Sequence, residues 1–180
     1  MGRWVLAATV ASATLMMTVV PNAAAAPTIP DIDSLIDDSG PLPASVSDLR
    51  QTPSVVFGTE SGVVCTMWRG RITHDITCAG DIPGVAPGDG AVQLPGIYGK
   101  ASAPARFVPA PPDALVAGEP AVTIPVGHKV VFWDFSPSES MVCGVPPFAE
   151  LVCELKEPQN ATGPVTTHGF VIAAPQSWVF

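Results

Sequence analysis

The chain has 180 residues, with eight Lys and Arg against sixteen Asp and Glu. A net charge of −8 repels phosphate backbones and anionic lipid, which argues against nucleic-acid binding and against attachment to a membrane surface. Twenty-one prolines and sixteen glycines argue against long helices, so one domain of strands and loops is expected.

The first segment reads as an export signal. Met1-Gly2-Arg3 is a short positive start, Trp4 to Val20 is an uncharged apolar run, Pro21-Asn22 breaks it, and Ala23 to Ala26 supply small residues for a signal peptidase. Cleavage is expected after Ala25, because Ala23 and Ala25 satisfy the small-x-small rule and Pro27 then falls second in the mature chain. A run of seventeen residues is short for an anchor, and no cysteine near the cut offers a lipid attachment point, so no stable membrane anchor is expected after cleavage. Removing residues 1–25 takes away Arg3 and leaves seven cations against sixteen carboxylates, a charge of 7 − 16 = −9.

Residues 26–52 read as an N-terminal arm. Asp31 caps a short helix in which Ile32, Leu35 and Ile36 fall on one face, and a second turn would carry Val46 and Leu49. From 53 to 180 the spacing is that of strands, with units around 53–80 and 128–155. In the first, Val55-Val56-Phe57, a turn at 58–62, and Val63 to Trp68 form a hairpin, and Ile72 to Cys78 returns beside it. In the second, Val130 to Phe135, a turn at 136–140, Met141-Val142-Cys143 and Leu151-Val152-Cys153 repeat the plan. Phe57 precedes Cys65 by eight residues and Phe135 precedes Cys143 by eight, so the two are read as related units facing each other.

Between them, seventeen of the forty-nine residues from Ala79 to Gly127 are Pro or Gly, too many for a helix and too long a stretch for a structureless loop. Short strands are expected at 91–94, 105–108 and 121–124, and their bounding prolines suit sheet edges. Residues 166–172 and 177–180 should close the domain as a hairpin whose aromatic end packs inward. The expected fold is mainly β: a small sandwich or flattened barrel of two disulfide-closed hairpin units with a short helical arm.

Four cysteines allow three pairings. Local pairing, Cys65 with Cys78 and Cys143 with Cys153, is favoured because each pair brackets a hairpin. Spacings of thirteen and ten residues match neither a redox C-x-x-C motif nor a zinc-finger pattern.

A V-x-C-type hairpin, the run Cys78-Ala79-Gly80-Asp81-Ile82-Pro83-Gly84, the approach Val126-Gly127-His128, and the ending His168-Gly169-Phe170-Val171 through Ser177-Trp178-Val179-Phe180 resemble small exported proteins of mycobacteria and related actinobacteria. The resemblance covers most of the mature chain. It implies a secreted or cell-envelope location and carries over no catalytic residue.

No nucleophile elbow, zincin helix, phosphate loop or EF-hand loop is present, and no cofactor or metal is expected. His74-Asp75, His128 and His168 share no ligand spacing, and solvent exposure is a sufficient account of His74. Asn160-Ala161-Thr162 fits the glycosylation pattern, which in a bacterial chain is chance. A hydrolase would have to be assembled from single residues, with Ser138 or Ser140 as nucleophile, His168 as base and Asp134 as its orienting partner. A binding module of the extracellular space or cell envelope is the favoured class, its partner another protein or an envelope component. Its candidate loop is Val145, Pro146, Pro147 and Phe148, held in the short ring that Cys143 and Cys153 close, and Trp68 beside Arg69 and Arg71 is a second contact.

Overall fold

The computed structural model of the protein describes residues 28–37, 54–98, 100, 102–110, 122–160 and 162–180. The expected signal peptide, its cleavage site and the turn at Val46 and Leu49 lie outside them. Among the described residues one helix, α1 (Ile32–Leu35), precedes eleven strands: β1 (Ser54–Gly58), β2 (Val64–Arg69), β3 (Thr73–Ala79), β4 (Ala91–Ile97), β5 (Arg106–Val108), β6 (Val122–Thr123), β7 (Lys129–Ser136), β8 (Glu139–Gly144), β9 (Leu151–Pro158), β10 (Val165–Ile172) and β11 (Trp178–Val179). Every strand expected from alternation and turn residues is present.

The strands form two sheets, β5-β4-β3-β2-β1-β6 and β11-β10-β9-β8-β7, packed face to face. Neither closes on the other, so of the two expected shapes the molecule takes the sandwich and not the barrel. All neighbours run antiparallel except β1 and β6. Pro95 removes a ladder donor in β4, and it is accommodated because β5 pairs only with residues 91–93 of that strand.

Alternation sorts the side chains. Cys65, Met67, Ile76, Cys78, Val92 and Leu94 point inward from the first sheet, and Met141, Cys143, Cys153, Leu155 and Phe170 from the second. Phe57 meets Phe132 across this core with ring centroids 5.3 Å apart. A second apolar cluster lies on the outer face of the second sheet, where Val142, Val152 and Val171 are covered by Ile32 and Ile36 of the arm. The helix is a single turn and would not persist alone. It is held by this burial, by Asp31 Oδ1 accepting from the Asp33 amide at 3.2 Å, and by Lys129 Nζ at 2.5 Å from Asp33 Oδ1.

Both disulfides have the local pairing. Cys65 and Cys78 are directly opposed on β2 and β3, with Cα atoms 4.0 Å apart, and Cys143 and Cys153 are directly opposed on β8 and β9, 4.1 Å apart. Each unit is therefore a three-stranded meander stapled between its second and third strands. The shared phenylalanine offset is not what makes them alike. Phe57 stands opposite Cys65 and is buried, whereas Cys143 faces Val130 and Phe135 is 62% exposed. Register shifts between Val131 and Trp133 and between Asp134 and Ser136 carry Phe135 out of phase and leave Phe132 as the core residue.

The closing hairpin of β10 and β11 forms as expected, but its aromatic end is divided. Val179 packs on the inter-sheet core, while Trp178 and Phe180 lie half-buried against the outer cluster.

Candidate functional site

Strand direction gives the sandwich two distinct ends. At one end lie the turn between β1 and β2, the residues leading from β6 into β7, the β8–β9 loop and the residues after β10. These four segments line a cleft of about 360 Å³, with Thr59, Glu60 and Ser61 on one side, Val145, Pro147, Phe148 and Glu150 on another, and Val126 and Ala174 completing it. Phe148 is 55% exposed and Val126 52%.

The backbone fixes the walls. Val145 N donates to His128 O at 3.0 Å, Gly127 N to Val145 O at 2.7 Å, Glu150 N to Ile172 O at 2.8 Å, and Gly62 N to Thr59 O at 3.1 Å. Gly62 adopts φ 93°, which a residue with a Cβ rarely accepts, so the turn beside the cleft calls for glycine there. With the main chain hydrogen-bonded, the Phe148 and Val126 side chains are left facing solvent.

The candidate loop is thus split by depth. Val145 and Pro146 are buried and anchor it, and Pro147 and Phe148 form its exposed tip. Trp68 does not join them. It sits at the far end of β2, opposite Ser54, while the turn at 59–62 follows the other end of β1. The six residues of β2 separate the two places by about 17 Å. Trp68 is 46% exposed on the outer face, and its ring lies over Gly70, where an added Cβ would fall 2.2 Å from it.

Near that far end the core holds a polar cluster. His74 of β3 is 1% exposed, contrary to the solvent exposure expected for it, because it alternates in phase with Ile76 and Cys78. Its Nε2 lies 2.9 Å from Glu157 Oε1 of β9, without hydrogen-bond alignment. Ser102 donates to the other oxygen of Glu157 and accepts from Ile97 N at 3.0 Å. The imidazole meets Tyr98 in a tilted contact and Trp133 edge-on, with ring centroids at 4.4 and 4.5 Å, and the two larger rings lie 5.8 Å from each other. Burial raises the Tyr98 hydroxyl above its ordinary value of 10.0 and keeps it neutral. An added Cβ at Gly96 would fall 1.8 Å from His74 Nε2, so a residue without a side chain is required beside the ring.

Ser102, Glu157 and His74 resemble a nucleophile relay in composition only. The carboxylate stands in the middle, so the histidine cannot take the serine proton, and all three groups are buried.

The assembled hydrolase trio does not form either. Asp134 and Ser140 are cross-strand partners on β7 and β8 that line a cleft of about 280 Å³ on the outer face of the second sheet. His168 lies on β10, three strand spacings from β7, or about 14 Å. It pairs with Leu155, whose partner Met141 is in the core, so His168 belongs to the opposite face from Ser140. Ser138 is occupied in its own turn, with its hydroxyl 2.9 Å from Ser136 Oγ. In the outer cleft, a hydrogen bond from Lys156 to Glu154 at 2.8 Å holds the ammonium above its usual range.

Among the described residues no three His, Cys, Asp or Glu side chains group so as to hold a metal ion. Nor is any helix among them long and apolar enough to cross a membrane. Fold and covalent structure define the class: an open two-sheet β-sandwich stapled by one cross-strand disulfide in each sheet. No protein-family model, curated protein or solved structure matches the chain.

Proposed function

We propose that the protein is an exported, non-enzymatic binding module of the extracellular space or cell envelope, and that the cleft at Phe148 is its contact surface. The observation that carries this reading is the exposure of Phe148 and Val126 side by side over walls already held by backbone hydrogen bonds. Ordering costs are met in folding, so an apolar partner gains most of the burial. Two buried disulfides suit an oxidising compartment, as do the signal-like first 25 residues and the resemblance to exported actinobacterial proteins. The hydrolase alternative draws no support from the positions of Ser138, Ser140, His168 and Asp134.

The test is affinity capture by the oxidised protein from culture-filtrate and envelope fractions of its host, with Phe148→Ala and a reduced, alkylated copy alongside. A partner retained by the parent and lost by both controls is expected. Equal retention by Phe148→Ala would overturn the assignment of the cleft.

A further inference from the structure

The cleft carries a charge pattern that selects among apolar partners. Among the described residues two carboxylates, Glu60 and Glu150, line it, and no Lys or Arg does. At the opposite end of the same sheet, the turn from β2 to β3 presents the reverse combination. Trp68 is 46% and Ile72 66% exposed there, flanked by Arg69 and Arg71. Among the described residues, Lys129 and Lys156 each meet a carboxylate and Arg106 meets Gln93, whereas Arg69, Arg71 and Lys100, the last just beyond β4 at the same end, form no salt bridge. An acidic chain thus keeps two cations unpaired beside its exposed apolar side chains, at the pole farthest from its acidic cleft.

We propose that the β2–β3 tip of one copy docks in the Phe148 cleft of a second copy. Ile72 and Trp68 would cover Phe148 and Val126, and Arg71 would meet Glu60 and Glu150. This rests on the reading of the cleft as a binding surface. Because tip and cleft lie at opposite ends, the contact is heterologous, and repetition gives a ring or a chain of molecules. A cleft of this size implies an interface at the small end of the known range, below about 1,200 Å² in total, and hence a weak one. Its charged component weakens with salt, since exposed charges are screened over about 8 Å at 0.15 M. Outside the cell, such contacts gain from multiplicity: an array held on an envelope surface would bind through many weak sites at once.

Sedimentation velocity of the purified oxidised protein tests this, over about 10 µM to 1 mM at low and high salt, the range a contact of this strength requires. The weight-average sedimentation coefficient should rise with concentration and fall back in high salt. Arg71→Glu and Glu150→Lys should each lower the association constant about tenfold or more, because like charges then face each other. Mixing those two variants should restore association, since one keeps a native cleft and the other a native tip. The double variant should self-associate again through the exchanged pair. These last two results exclude misfolding as the cause of the single-variant losses. A protein that stays monomeric throughout, an association indifferent to both reversals, or a mixture that remains monomeric overturns the proposal. Phe148-dependent capture of a foreign partner by a strictly monomeric protein would overturn self-docking and leave the cleft reading standing.

Discussion

The two ends of the sandwich are closed by different means. At the His74 end, side chains do the closing: imidazole, carboxylate and hydroxyl are buried together, and the imidazole packs against Tyr98 and Trp133. At the Phe148 end, the main chain does it, through hydrogen bonds within and between the segments that line the cleft, and the apolar side chains are left outside. Substitutions at the first end should therefore register as stability and those at the second as binding. The two ends stand a strand's length apart.

The largest effect is expected at Glu157. Glu157→Ala strands a buried His74 and should cost about 3–5 kcal/mol in denaturant unfolding, while the paired change His74→Leu/Glu157→Leu should recover much of it. Removing a disulfide comes next, at about 3 kcal/mol for loops of thirteen and ten residues in the chain-entropy model. The comparison sharpens here. Loss of Cys143–Cys153 should also abolish capture by the cleft, whose β8–β9 wall it holds, whereas loss of Cys65–Cys78 should lower stability and spare capture. Gly96→Ala follows, at about 1–3 kcal/mol from overpacking against His74, read as a lowered urea midpoint at unchanged slope.

Smaller effects fall on the arm and the loop tip. Lys129 holds the Asp33 carboxyl below its ordinary value of 3.8, chiefly by hydrogen bonding. A lowered folded-state value contributes stability that is fully present above 3.8 and is lost as pH falls through the lowered value, so Asp33→Asn should lower the melting temperature at pH 7 by an amount that shrinks as the pH is taken below 3.8. Since Asp33 is largely exposed, the effect is about 0.2–1 kcal/mol. The smallest expected change is Phe148→Ala, within about 0.5 kcal/mol of the parent in stability, with its consequence confined to partner capture. Loss of more than that would place Phe148 in the fold and dissolve the contrast between the ends.

Strand positions and disulfide partners were legible because each rests on local information: alternation, turn residues and short cysteine spacing. His74 was legible too, had its phase with Ile76 and Cys78 been weighed above its polarity. Glu157 shares phase with Cys153 and Leu155 in the same way, but the apolar run that marks the strand in the sequence ends at Cys153, four residues before the carboxylate. Ser102 offered no such signal, because it reaches the cluster from a loop between β4 and β5. The exposure of Phe135 was hidden by the irregular register of β7, since a bulge changes which face a residue occupies without altering composition. Of the candidate loop, Pro147 and Phe148 form an exposed tip and Val145 and Pro146 are buried. That Glu60 and Val126 would stand beside it depended on how four loops meet in space, which no local pattern encodes.

Each disulfide joins neighbouring strands of its own sheet, and none joins one sheet to the other. The two leaves are thus reinforced internally but hinged apart covalently: they can part like a book whose pages are each laminated and whose spine is only the connecting chain. Resistance to separation comes from the apolar core and the His74–Glu157 contact. An opened molecule would keep both cystines intact and would migrate on a non-reducing gel as the native protein does.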